Sequence, residues 1–94
     1  MKSISLEIIT PEKVILRDKA EFVVVPAFRG ELGVLPGHAP LLAQLAPGRI
    51  RINKENEIEQ VVTQGGFIEV HPDKMKIFAD SAEVWLQMPK ETRR

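Results

Sequence analysis

The chain has 94 residues, 44% hydrophobic and 28% charged, which bounds it to one globular domain with a single modest core. Thirteen basic and thirteen acidic residues cancel, so the charge balance carries neither the basic footprint of a nucleic-acid binder nor an acidic tail. The absence of cysteine excludes a disulfide framework and thiolate chemistry. The densest apolar run, Phe22 to Phe28, contains Pro26 and falls far short of the ~20 residues that a membrane-spanning helix needs. The start, Met1 to Glu7, lacks a continuous signal-peptide core, so the chain is expected to stay in the cytoplasm and to reach any membrane through a partner.

Taken in order, Ile4, Leu6 and Ile8 alternate with Ser3, Ser5 and Glu7, the period of a half-buried strand. Thr10-Pro11-Glu12-Lys13 turns the chain, and Val14 to Leu16 reads as a second short strand ended by a polar turn at Arg17-Asp18-Lys19. Glu21 to Val25 is β-branched and aromatic and reads as a third strand closed by Pro26. Residues 30–42 follow, with Gly30, Gly33 and Gly37 among Pro36, Pro40 and five aliphatic residues. Such a stretch cannot be a regular helix and is too apolar for a solvated linker; it predicts a shaped, partly buried loop presenting Glu31 and His38.

Leu41 to Leu45 is a further strand candidate, and Pro47-Gly48 a turn pair. Arg49-Ile50-Arg51-Ile52 alternates with both arginines toward solvent, Lys54-Glu55-Asn56 forms a hairpin tip, and Glu57 to Thr63 returns. Gly65-Gly66 ahead of Phe67 to Val70 predicts a bulge or a close backbone approach. His71-Pro72-Asp73 turns again, and Met75, Ile77 and Ala79 point inward from the next strand. From Ser81 the chain reads as a strand start and then a frayed tail carrying Pro89. The expected fold is all-β: a flattened β-sandwich or barrel of about ten short strands over residues 1–84, with a short tail over 85–94.

Catalytic chemistry is hard to assemble. His38 and His71 belong to no metal-ligand spacing. His71, before Pro72, reads as a structural or solvated turn residue, and His38 either as a turn histidine bonded to backbone or as a contact residue. Ser81, His38 and Asp80 supply the residue types of a hydrolytic triad, but Ser81 lacks a nucleophile elbow. Gly30-x-x-Gly33 and Gly65-Gly66 are not phosphate loops, because no Gly-Lys-Ser/Thr follows and neither opens a helix. Arg49 and Arg51 form a short basic strip without interleaved aromatics, a weak signal for an RNA- or sugar-binding barrel and a stronger one for a solvated strand face. Glu31, between glycines, is a carboxylate cheaply exposed at a tip and open to a basic or amide partner, or else ordinary surface charge.

The run Gly30-Glu31-Leu32-Gly33-x-x-Pro36-Gly37-His38-Ala39-Pro40-Leu41-Leu42 resembles the signature of the epsilon subunit of rotary ATP synthases. So do Pro47-Gly48-x-Ile50-Arg51-Ile52, Gly65-Gly66-x-x-Glu69-Val70 and Ala79-Asp80-x-Ala82, in order over most of residues 4–82. The resemblance implies a β-sandwich of about ten strands. It implies a non-catalytic subunit at the foot of the central stalk, bound to the gamma subunit, resting on the c-ring loops and turning with both. It places the subunit peripherally on the cytoplasmic face of a bacterial inner membrane, with no cofactor, metal, nucleic acid or small-molecule substrate and no insertion into the membrane.

By the same resemblance Glu31, with Gly30 and Arg29 beside it, is expected at the c-ring, and His38, Thr10 and Ala43 at or near the gamma face. Thr10 and Ala43 are matched by position without a distinctive motif around them. Longer members continue after Ala-Asp-x-Ala into a helical hairpin that can brake ATP hydrolysis. Fourteen residues follow Asp80 here, too few for two packed helices, so the hairpin and its brake are expected to be missing.

Overall fold

The computed structural model describes residues 2–90. Ten strands follow one another: β1 (Ile4–Ile9), β2 (Val14–Ala20), β3 (Phe22–Ala27), β4 (Gly30–Val34), β5 (Leu41–Leu45), β6 (Gly48–Asn53), β7 (Glu57–Thr63), β8 (Gly66–Val70), β9 (Lys74–Ala79) and β10 (Ala82–Pro89). No helix occurs among the described residues, as period-two patterning requires. The strands hydrogen-bond in the order β10-β7-β6-β3-β5-β8-β9-β1-β2, with β4 paired to β3 outside that path. All pairs are antiparallel except β1 with β9. The sheet folds back on itself to give two layers, β2-β1-β9-β8-β5 and β10-β7-β6-β3-β4.

Strand β3 joins the layers. Its first half pairs with β6 and its last residue, Ala27, pairs with Leu45 of β5. The corner is held by Ala46 N–H donating to the Pro26 carbonyl at 2.8 Å and Phe28 N–H donating to the Gln44 carbonyl at 3.2 Å. The missing N–H of Pro26 therefore falls where the chain changes sheets, a position at which a sheet tolerates proline.

One core fills the space between the layers. Ile4, Leu6 and Ile8 of β1, Val23 and Val25 of β3, Ile50 and Ile52 of β6, Ile68 and Val70 of β8, and Met75 and Ile77 of β9 are all buried. The alternation read from the segments of β1, β6 and β9 holds residue by residue. Gly66 explains its own presence: a Cβ there would lie 1.9 Å from the Phe78 carbonyl oxygen, so β8 and β9 can approach only without a side chain.

Three segments depart from the sequence reading. Arg17 to Lys19 is not a turn: β2 runs on through Ala20, paired with β1, because each of these side chains projects from an edge strand without having to be buried. The predicted loop at 30–42 is half strand, since Gly30 to Val34 pairs with Val23 to Ala27 and leaves only 35–40 as turn. Residues 85–89, predicted as the start of a tail, are strand. Residues 82–89 form the eight-residue β10 along β7, with a bulge between Val84 and Leu86. Residues 91–94 lie outside the described residues.

An ion cluster, buried at Glu59 and open to solvent at Asp18, closes one end of the sandwich. Lys54 Nζ at the β6–β7 hairpin lies 2.7 Å from Asp18 Oδ2 on β2, 3.3 Å from Glu57 Oε2 and 2.5 Å from Glu59 Oε1. Glu59 is 1% exposed on the inner face, and Gln87 of β10 donates to its other oxygen at 2.9 Å. Burial pulls the Lys54 ammonium toward neutrality, but the hydrogen bonds and charges of Asp18 and Glu59 outweigh that and hold it protonated well above its ordinary range. The hydrogen bond from Lys54 in turn holds the Asp18 carboxyl below its usual value of 3.8.

Replacing Leu6 or Ile77 by Ala should cost about 2–5 kcal/mol, read as a lower urea midpoint, because each leaves a cavity in a closed core. Asp18 has a lower pKa folded than unfolded, so its contribution is complete above 3.8 and is lost as pH falls below it. Urea midpoints followed from about pH 6 to about pH 2 should drop less steeply for Asp18→Asn than for the native chain; parallel curves would show that the pair contributes nothing.

Candidate functional site

The outer face of the β5-β8-β9-β1-β2 layer carries two adjacent rows that cross the strands. Strand register sets Phe67 of β8 opposite Phe78 of β9, Phe78 beside Ile9 of β1, and Ile9 opposite Val14 of β2. Two residues along, the same register sets Leu42, Glu69, Lys76, Glu7 and Arg17 side by side. The first row is apolar although it faces solvent, with Phe67 56% and Phe78 42% exposed. In the second row the charges alternate in sign, and Arg17 Nη2 approaches Glu7 Oε2 to 2.7 Å. The solvent face of an antiparallel sheet is ordinarily polar, and this exposed row of aromatic and aliphatic side chains departs from that pattern.

At the side of the molecule the β3–β4 hairpin and β5 border an open groove lined by Phe28, Glu31, Leu32, Leu41 and Leu42 among others. Arg29, Gly30 and Glu31 lie together at the hairpin tip, all exposed, so the structure brings these three expected contact residues to one place. Glu31 is not a lone carboxylate: Arg51 Nη2 of β6 donates to its Oε1 at 3.0 Å. Ala43 lines the same groove, half-buried against the core from β5.

The remaining two are elsewhere. Thr10 is buried in the β1–β2 turn, where its hydroxyl and its backbone N–H both bond the Lys13 carbonyl, at 3.1 and 2.9 Å. His38 is half-buried in the turn before β5, with Nδ1 donating to the Ala39 carbonyl at 2.7 Å, since a carbonyl can only accept. That turn is pinned to the β8–β9 turn by Gly37 N–H donating to the Pro72 carbonyl at 2.7 Å. His38 and Thr10 thus sit at opposite ends of their layer, because Leu41 registers through Val70 to Met75 and Leu6, whereas Ile9 registers with Phe78. Ser81 and Asp80 lie at the Thr10 end, where Asp80 N–H donates to the Gly65 carbonyl, so they form no triad with His38.

The basic strip of β6 is fully engaged. Arg51 pairs with Glu31, and the Arg49 guanidinium lies 3.8 Å over the Trp85 ring of β10. Sequence reasoning missed both Trp85 and the two outer rows. The rows follow from strand register, which alternation within single strands does not contain. Among the described residues no group of three or more His, Cys, Asp or Glu is arranged to hold a metal ion.

A family model for the ATP synthase delta/epsilon chain, β-sandwich domain, matches residues 3–84. The chain belongs to this family. An ATP synthase epsilon chain of Moorella thermoacetica is 48% identical over 84 residues, which cover 88% of this chain and 63% of that protein. One from Desulfitobacterium hafniense is 44% identical over 79 residues, 84% of this chain and 60% of its own. The chain thus spans about three fifths of the curated relatives it matches. Among solved structures, a chain of the Euglena gracilis mitochondrial ATP synthase (OSCP, F1 and c-ring) superposes with a TM-score of 0.83 at 29% identity. That alignment covers 89% of this chain and 54% of that one. A chain of the Tetrahymena thermophila central stalk and c-ring shares the fold, with a TM-score of 0.73 at 18% identity.

Because Phe67 and Phe78 are exposed, changing either to Ser should shift unfolding stability by no more than about 1 kcal/mol, against the several expected for the core residues. Urea unfolding of the two variants checks that this row is present for something other than folding.

Proposed function

We propose that this chain is a non-catalytic rotor subunit of an F-type ATP synthase. It binds the gamma subunit of the central stalk and rests on the polar loops of the c-ring, so that ion translocation and nucleotide chemistry are coupled through it. The observation that carries the reading is the solvent-facing apolar row Phe67–Phe78–Ile9–Val14 on a domain of the delta/epsilon family. A rigid sheet presenting such a row suits a permanent partner, because little conformational entropy is lost on docking. We assign this face to the gamma subunit, with the alternating charges of Glu69, Lys76, Glu7 and Arg17 fixing its register.

The β3–β4 tip, Arg29, Gly30 and Glu31, is assigned to the c-ring loop, and Ala43 borders the groove behind it. The assignment of His38 and Thr10 to the gamma face acts through backbone: each shapes the turn at one end of the docking layer. The names of the relatives and of the matched synthase complexes support this role, which would set the chain at the foot of the stalk on the cytoplasmic face of the membrane. A free-standing RNA- or sugar-binding barrel has less support, because Trp85 and Glu31 already occupy the two arginines on which it depended.

The test is assembly. Synthase purified from cells carrying tagged chain should bring down gamma and c subunits, whereas Phe67→Asp combined with Phe78→Asp should lose both while circular dichroism stays that of a β protein. Retention of both partners by that variant would remove the apolar row from the interface. Glu31→Lys should leave assembly intact and weaken coupling by roughly 1–3 kcal/mol, read as lower ATP-driven ion pumping in reconstituted vesicles. Unchanged pumping would remove Glu31 from the c-ring contact.

A further inference from the structure

Strand β4 is an edge strand, anchored in the core at Val34 and exposed at its Gly30–Glu31 end. Its backbone pairs with β3 alone among the described residues, over Val23–Ala27 against Gly30–Val34. Within that ladder Glu31 stands opposite Pro26. The Pro26 carbonyl is taken by Ala46 N–H on the far side of β3. The N and C=O of an extended residue leave on the same side, so Pro26 and Glu31 form a non-hydrogen-bonded pair, and no ladder bond holds the chain at Glu31. Gly30, at φ +117, lies on one side of Glu31 and Gly33 follows two residues on, both with open space around them. A glutamate in so permissive a segment would sample many orientations unless something restrained it.

The restraint on the page is Arg51. It projects from β6 between buried Ile50 and Ile52, so its backbone is fixed by the core. It stands opposite Val24 on β3, on the same outer face as Glu31, and reaches across β3 to place Nη2 3.0 Å from Glu31 Oε1. This joins β4 to β6, two strands that share no backbone hydrogen bonds. Both side chains are about half exposed, 49% for Arg51 and 64% for Glu31, and such a pair contributes little to global stability. Its consequence is therefore directional.

We infer that Arg51 is a positioning residue: it holds the Glu31 carboxylate in one orientation at the β3–β4 tip, so that the tip meets its partner already ordered. The inference rests on the reading of Glu31 as the c-ring contact. It predicts that Arg51 acts on coupling through Glu31 and not by a contact of its own, which a double-mutant cycle can separate.

The experiment uses complete synthase containing this subunit in sealed vesicles, with ion pumping per ATP hydrolysed measured for the native chain, Glu31→Gln, Arg51→Ala, the double variant and Arg51→Lys. Glu31→Gln and Arg51→Ala should each lower coupling about fivefold, and the double variant should be no worse than either. Arg51→Lys, which keeps a cation within reach, should recover part of the loss. Amide hydrogen exchange over residues 30–32 of the full chain should quicken in Arg51→Ala, reporting the loosened tip.

Losses that multiply in the double variant would overturn the inference, since Arg51 would then act independently of Glu31. So would an unchanged Arg51→Ala beside an impaired Glu31→Gln, and that outcome would leave the Glu31 contact standing. If Glu31→Gln itself couples normally, the c-ring contact falls and the role of Arg51 falls with it.

Discussion

Strand β3 has to serve two sheets, and the rest of the domain depends on how it does so. Its first half belongs to the layer of β6 and its last residue to the layer of β5, a change of partner within six residues. Proline at position 26 suits the change because a residue at the corner has no ladder donor to lose. Once the corner is made, the inward residues of both layers face one another and a single core can form from strands that are each too short to be stable alone.

The corner also decides where function can sit. It throws the β3–β4 hairpin out beyond the main sheet and leaves the groove beside β5. It commits the inner faces of the central strands to the core, so their outer faces are what a partner can meet. On one layer that face combines an apolar row with a row of alternating charge; on the other, Arg49 and Trp85 cover each other and Arg51 reaches Glu31. The buried Lys54 cluster sits apart from both, at the end where β2 and β10 come near one another. It is a fold device: carboxylates from two strands, Asp18 of β2 with Glu57 and Glu59 of β7, converge on one ammonium, and that convergence lets Glu59 lie inside the sandwich.

Reading the chain in isolation worked best where apolar residues share one parity. Ile4-Leu6-Ile8 and Met75-Ile77-Ala79 could be assigned a face at once, and the structure agrees. It worked less well where parity is mixed. In Glu57 to Thr63 the apolar residues Ile58 and Val61 have opposite parity, and the inward set turned out to be Glu59, Val61 and Thr63. Alternation does not identify Glu59 as the buried residue, because its burial depends on Lys54 of the adjoining turn and Gln87 of β10 reaching its carboxylate. The strand at Ala82–Pro89 was read as a tail for a similar reason: it buries little of its own surface, and the hydrogen bonds of β7 are what order it.

The sequence by itself determined the all-β class, the inward faces of the strongly alternating strands, a bulge or close approach at Gly65-Gly66 and the exposed, glycine-flanked position of Glu31. These depend on backbone sterics and on a two-residue period, both of which are local. Its motifs also carried the resemblance to the family that the comparisons then showed. Only the tertiary structure decided strand order, the parallel pairing of β1 with β9, the row Phe67–Phe78–Ile9–Val14, and the reach of Arg51 to Glu31. Each depends on which strands lie side by side, and residues twenty or more positions apart become neighbours only when register is set by the closing of the whole sheet.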